Sequence, residues 1–230
     1  MNIIWLGHGA LRIEIADQII LIDPWLTGNP MLDEDQYEAA LDGATQILMT
    51  HGHEDHTADL KMVADRTGAP VAGMVELMGW FEAQGVQNTT GFNKGGTINC
   101  GDVAVSMVPA DHSSSLSGDN GPIYTGGEAG FILKGEGKTV YFSGDTGIMA
   151  DMDWIADYYK PDIGILSAGG HFTMGMAEAA YAAKRYFDFK TVIPCHYRTM
   201  PILEQSADVL AQGLPGVDVI EPQVMQKISL

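Results

Sequence analysis

The feature that most constrains this chain is the segment Thr50-His51-Gly52-His53-Glu54-Asp55-His56-Thr57, a His-x-His-x-Asp-His arrangement between apolar Ile47-Leu48-Met49 and the helix-compatible stretch Ala58 to Ala64. Alternate residues of an extended backbone face the same way, so His51 and His53 can reach one ion together. Asp55 and His56, where the chain curls into a helix, can serve a second ion. The competing reading is a surface cluster of histidines with no ligand.

Three more candidate ligands share one local context, each just after a β-like apolar run. Val105 to Asp111 leads to His112, Val140 to Gly144 leads to Asp145, and Val192 to Cys195 leads to His196. Strand ends gather at one edge of a sheet, where their loops converge on a ligand. Taken singly, each residue reads as a buried, hydrogen-bonded core group. Taken with the central motif, they read as ligands, and five of the seven histidines are then accounted for. Imidazoles and carboxylates without thiolate suit Zn2+, and Mn2+, Ni2+ or Fe fits the same donor set.

Around these residues the pattern alternates strand clusters with helices. β signals run over Asn2 to Trp5, Leu11 to Ile15, Gln18 to Ile22 and Gln46 to Met49, followed by helices over Leu60 to Ala64 and Val75 to Phe81 that end at Gly68 and Gly85. After a turn-rich Thr89 to Gly96, strands return at Val103 to Val108, Gly130 to Lys134 and Thr139 to Phe142. A helix over Gly175 to Tyr186, a strand over Thr191 to Pro194, a helix over Leu203 to Leu214 and a β-like run near Val224 complete the chain. Two such rounds fit an α/β class in which two mixed sheets pack face to face with helices outside. Residues 1–230 are expected to form one domain.

Charge narrows the partners. Twelve Lys and Arg stand against 30 Asp and Glu, a net charge of −18, and the basic residues form no run. A nucleic-acid partner is therefore not expected, because phosphates must be neutralised by basic groups. Nothing reads as a signal peptide or a membrane span. Cys100 and Cys195 form no CxxC pair, which suits a reducing compartment, so a cytoplasmic location is expected. The expected partner is a small-molecule substrate; the oligomeric state is left open, a homo-oligomer included.

The order of an early Asp, the His-x-His-x-Asp-His motif, a His, an Asp and a final His resembles the metallo-β-lactamase superfamily. Further motifs are similar to a branch of metal-dependent hydrolases related to the ascorbate-phosphate lactonases: Leu6-Gly7-His8, Asp23 to Pro30, Ala110 to Ser115, Gly169 to Gly175 and Cys195-His196-Tyr197. The resemblance implies a four-layer αββα sandwich. It also implies one metal on His51, His53 and His112, a second on Asp55, His56 and His196, and Asp145 bridging them. Two ions so held make a shared water acidic enough to give a bridging hydroxide. The implied function is hydrolysis of a small ester, lactone or phosphoester. The diiron oxidoreductase branch carries Glu at the position of His53, so His53 favours hydrolysis. An iron-dependent oxidoreductase and a closed, non-catalytic metal module are the alternatives.

Residues beside the cage carry two readings each. Asp23, at the early-Asp position, orients ligand imidazoles or caps the turn before Pro24. His8, His171 and Asp55 are the catalytic candidates. His171 is a donor to a substrate oxygen or a general acid, or else structural, and His8 has the same two readings. Arg198 stands where the branch carries Gly, and either binds a substrate anion or points to solvent; Tyr197 is equally open. Cys195 reads as a buried thiol. Lys94 and the Gly118 to Gly130 segment are expected in loops walling the pocket, and Ser113 to Ser115 in turn hydrogen bonds.

Overall fold

Runs that are apolar at every position, such as Ile47-Leu48-Met49, ask for a strand covered on both faces, and the computed structural model, which describes residues 1–230, supplies that cover. The first half forms β1 (Asn2–Gly7), β2 (Ala10–Ile15), β3 (Gln18–Ile22), α1 (Tyr37–Leu41), β4 (Gln46–Met49), α2 (Glu54–Thr57), α3 (Leu60–Thr67), β5 (Val71–Met74), α4 (Val75–Ala83) and β6 (Thr89–Phe92). The second forms β7 (Thr97–Cys100), β8 (Val103–Pro109), β9 (Ser115–Leu116), β10 (Ile123–Tyr124), β11 (Ala129–Gly135), β12 (Lys138–Phe142), α5 (Met152–Tyr159), β13 (Ile163–Ser167), α6 (Met176–Tyr186), β14 (Thr191–Cys195), α7 (Asp208–Gly213), β15 (Asp218–Val219) and β16 (Lys227–Ser229).

Two seven-stranded sheets result, ordered β16-β1-β2-β3-β4-β5-β6 and β15-β14-β13-β12-β11-β8-β7. Each is mixed in the same sense, with antiparallel pairing at one end and parallel pairing at the other. One cluster of 64 buried apolar residues joins the inner faces. On the outside α4 lies on β5 and β6, α6 on β13, and α5 and α7 against α6. This is the αββα sandwich that the resemblance implies. No helix is long and apolar enough to cross a membrane.

Central strands follow the sequence reading closely, and edge elements depart from it. Thr89 to Phe92, expected as turn, is edge strand β6; its Thr90 and Gly91 are exposed, and a polar edge strand carries little apolar signal. The helix expected over Leu203 to Leu214 is confined to Asp208–Gly213. Residues 198–204 are drawn instead into a connector, where Arg198 N bonds Glu204 O and Glu204 N bonds Gly169 O. Pro194 interrupts no ladder within β14: β15 pairs only as far as Val192, so the flank its ring faces has no strand beside it.

Candidate metal centre

The ligand-bearing strands run in one direction. β3 and β4 are parallel, and β1 is antiparallel to β2, which is antiparallel to β3. In the other sheet β12, β13 and β14 are parallel, and β8 shares their direction through β11. Their C-terminal ends therefore open on one edge, and His8, Asp23, His51, His112, Asp145 and His196 all follow such ends. Three of these turn sharply, since His8, Asp23 and His196 have φ of 54, 46 and 57°. Non-glycine residues seldom adopt this region, and where they do the surrounding structure must hold them there. Here the turn directs each side chain back over the sheet edge.

Two donor groups form. His51, His53 and His112 offer nitrogens within 4.8 Å of one another, and so do the Asp55 carboxylate, His56, His196 and His8. Asp145 lies between them: its Oδ2 is 2.9 Å from His196 Nε2, 3.4 Å from His56 Nε2 and 3.8 Å from His112 Nε2. Gly169 leaves room for this meeting, because a Cβ there would collide with the His196 carbonyl oxygen. Gly9 does the same for His56, whose Cε1 would sit 2.8 Å from an added Cβ.

Asp23 fixes two of the rings. Its Oδ2 accepts from His56 Nδ1 at 2.8 Å and from the Thr50 hydroxyl at 2.5 Å, while Oδ1 accepts from Thr50 N at 2.8 Å. Thr50 Oγ1, its proton committed to Asp23, accepts from His51 Nδ1 at 2.9 Å. Both rings thus commit their Nδ1 proton and turn Nε2 inward, the nitrogen that a metal would take. His56 Nε2 is buried and has no hydrogen-bond partner. His51 Nε2 also faces His53 Nδ1 at 3.0 Å, while Ser113 Oγ lies 3.2 Å from His53 Nε2. An orphaned buried nitrogen among imidazoles and carboxylates is what a cation resolves, so the donor set fits a metal.

Electrostatics separate the two groups. Burial lowers the pKa of His51, His53 and His112, which keeps them in the neutral, ligating form. Burial also opposes charge on His56 and His196, but the carboxylates outweigh it: Asp145 and Asp23 raise His56, and Asp145 with Asp55 raises His196 to about 9. Asp55 and Asp145 are driven well down despite burial, Asp55 by His196 and His8 and Asp145 by His196 and His56. Without an ion the cage is held together by proton-mediated ion pairs.

A pocket of about 640 Å³ opens above the cage, with Trp25, Glu54, Ala58, Phe172 and Met200 among its walls. The wall that carries Trp25 is pinned by Asp59, which accepts from Leu26 N at 2.7 Å and Thr27 N at 2.8 Å. Of the residues the sequence singled out, all seven proposed ligands and Asp23 come together. Three expectations are corrected by placement. His171 is exposed and lies in a separate depression with Ile202 and Glu204; its neighbour Phe172 faces the pocket instead. Tyr197 is buried, stacked on Trp5 at 5.4 Å, so it cannot touch substrate. Arg198 pairs with Glu221 at 3.6 Å outside the pocket.

His8 is also outside the pocket lining, yet it bears on the cage. Burial pushes its imidazole down to about 4, so the ring is neutral. Its Nε2 lies 2.8 Å from Asp55 Oδ2 and must carry the proton, leaving Nδ1 to accept from the Thr199 hydroxyl at 2.8 Å. His8 orients a ligand carboxylate. Lys94 is paired with Glu128 at 3.5 Å and does not line the pocket. Thr50, Thr199 and Asp59 were not legible as site residues. The one available signal was Thr50 at the buried end of an apolar strand, where a hydroxyl must find a partner.

A family model described as the beta-lactamase superfamily domain matches residues 18–197. The chain is 67% identical over 229 residues to a UPF0173 metal-dependent hydrolase of Roseobacter denitrificans, covering 99% of both chains. It is 62% identical over 231 residues to the UPF0173 metal-dependent hydrolase of Dinoroseobacter shibae, covering 100% of both. Among solved structures, a metallo hydrolase from the archaeon Ignicoccus hospitalis superposes with a TM-score of 0.83 at 31% identity, over 100% of this chain and 98% of that one. With the cage, the sandwich and these relatives in agreement, the chain belongs to the beta-lactamase superfamily and is one of its metal-dependent hydrolases.

Proposed function

We propose that the cage holds two divalent ions, zinc first among them, and that the pocket above hydrolyses a small ester, lactone or phosphoester. The observation that carries this reading is the meeting of two donor groups at Asp145 Oδ2, 2.9 Å from His196 on one side and 3.8 Å from His112 on the other. His51, His53 and His112 would hold one ion and Asp55, His56 and His196 the other, with Asp145 shared. Bound there, such a pair makes water acidic enough to attack near neutral pH.

The chain's own residues do the rest. Asp23 and Thr50 keep His51 and His56 in the ligating tautomer. His8 holds Asp55, whose side chain is the more open of the two central carboxylates, 30% exposed against 4% for Asp145. Asp55 lines the pocket floor, and as a ligating carboxylate held by His8 it would orient the attacking water toward the substrate. No serine triad competes: Ser113 reaches His53, but the other nitrogen of that ring faces His51 and no carboxylate. Trp25, Phe172 and Met200 give the substrate's remaining atoms an apolar wall.

The test is turnover of ester, lactone and phosphodiester panels by zinc- and manganese-loaded protein, with metal content measured alongside. Chelation and His51→Ala should each abolish hydrolysis. Activity that survives either would overturn the reading, and oxygen consumption with bound iron would replace it with oxidoreduction.

A further inference from the structure

The pocket wall carries almost no charge of its own. Apart from the cage residues, the only ionisable group lining it is Glu54. That carboxylate is exposed and makes no hydrogen bond or ion pair with another side chain, while Lys94 and Arg198 are each paired with a glutamate and stand outside the lining. Trp25, Ala58, Phe172 and Met200 form the apolar part of the side wall, with uncharged Thr27, Gly28 and Ser113 completing it. Phe172 is 51% exposed, a large apolar side chain with little packed on it at the pocket mouth.

We propose that this pocket selects uncharged acyl compounds with an apolar side group, esters or lactones, over their anionic counterparts, and that Glu54 enforces the exclusion. The inference rests on the hydrolase reading and narrows it to a substrate class. A site meant for a carboxylate or phosphate remote from the reacting bond would place Arg or Lys where that anion sits, in a fork or as a point charge. This wall offers neither. A free carboxylate beside an apolar surface instead repels an anion, and repulsion between unit charges several ångströms apart at a protein surface amounts to about tenfold in affinity. The neutral side group is left to lie against Trp25, Phe172 and Met200. The volume of about 640 Å³ is in the range of sites that take small molecules.

The test uses matched pairs on the metal-loaded full-length protein. Hydrolysis of 4-nitrophenyl butyrate is compared with that of mono-4-nitrophenyl succinate, which differs by a terminal carboxylate. Binding of the non-hydrolysable 4-nitrophenyl butyl ether is compared with that of 4-(4-nitrophenoxy)butanoate through quenching of Trp25 fluorescence, with Trp25→Phe identifying that signal. The neutral member should be favoured about tenfold in kcat/KM and in Kd, and Glu54→Gln, with metal content unchanged, should bring the ratio to within about threefold. Should Glu54→Gln lose metal, the salt dependence of the wild-type ratio serves in its place, because screening should narrow it between low and high ionic strength. Equal or tighter binding of the anionic ether, or a ratio unmoved by both Glu54→Gln and salt, overturns the proposal. Loss of all hydrolysis with the binding preference intact would overturn the hydrolase reading alone.

Discussion

At the scale of single residues the cage depends on groups that never touch a substrate. Asp23 accepts three hydrogen bonds in a fully buried position, and through Thr50 it sets the tautomer of His51 as well as that of His56. Asp23→Asn leaves one acceptor oxygen and adds an N–H₂ against groups that are already donors. Metal affinity should fall about 10- to 100-fold, read by competition with a chelator, as for other partners of ligating histidines. An unchanged affinity would mean that the rings are held by packing alone.

His196 supports a pH prediction of known sign. Its pKa in the metal-free fold is raised to about 9, so the ion pair with Asp145 stabilises that fold fully below the ordinary histidine value of about 6.5 and is lost as pH rises through about 9. Metal must displace the same proton. At pH 7 binding should therefore release protons, and affinity should climb as pH is raised toward 9, measured by calorimetry in buffers of different ionisation enthalpy.

At the scale of elements the last strand closes the first sheet through a side-chain cluster. Glu14 on β2 receives Lys227 of β16 at 2.9 Å and Asn2 of β1 at 3.0 Å, with Arg12 at 3.1 Å. Lys227 foremost holds the Glu14 carboxyl down at about 2, against a small opposing effect of burial. A depressed folded value stabilises above the unfolded pKa and is lost as pH falls, so the contribution should fade between about 4.5 and about 2. Glu14→Gln should lower the melting temperature at pH 7 and leave it unchanged near pH 2. The loop between β13 and α6 gives a second test at this scale. Gly169→Ala would drive a methyl into the His196 carbonyl, and should cost about 1–3 kcal/mol of stability together with metal binding at the His196 side.

For the whole molecule, the two half-structures share one apolar core, and at the edge where strands of both sheets end a bound ion would tie one half to the other a second time. His51, His53, Asp55 and His56 come from the first sheet and His112, Asp145 and His196 from the second. Metal that binds the folded chain and not the unfolded one stabilises it by about 2.7 kcal/mol per site at a hundredfold excess over Kd. For a chain of this size that corresponds to roughly 5–10 °C in melting temperature per site. Scanning calorimetry with and without chelator checks it, and a shift of nil would mean that the halves are already locked without the ions.

How much of this was legible follows from what each feature rests on. Buried central strands announce themselves because every position must be apolar, and β3 and β4 match the sequence reading residue for residue. The candidate ligands were legible because metal binding demands rare residue types after such strands. α5 and β13 escaped notice, since Met152–Tyr159 mixes exposed Trp154 and Tyr158 with few buried positions, and Ile163–Ser167 is a short run with a glycine inside it. His171 and Phe172 show the limit most plainly. Adjacent in a Gly-flanked loop, they exchange places between solvent and pocket according to backbone turns that no pattern of residue types encodes.

Sequence alone thus determined the class of sheet and marked the seven candidate ligands, because periodicity and residue chemistry are properties of the chain itself. Only the tertiary structure decided which histidine serves the cage from behind, that Tyr197 and Arg198 stand apart from the pocket, and that Glu54 is the lone charge on its wall. Those facts depend on where side chains from distant strands end up pointing, and direction in space is fixed by packing of the two sheets together.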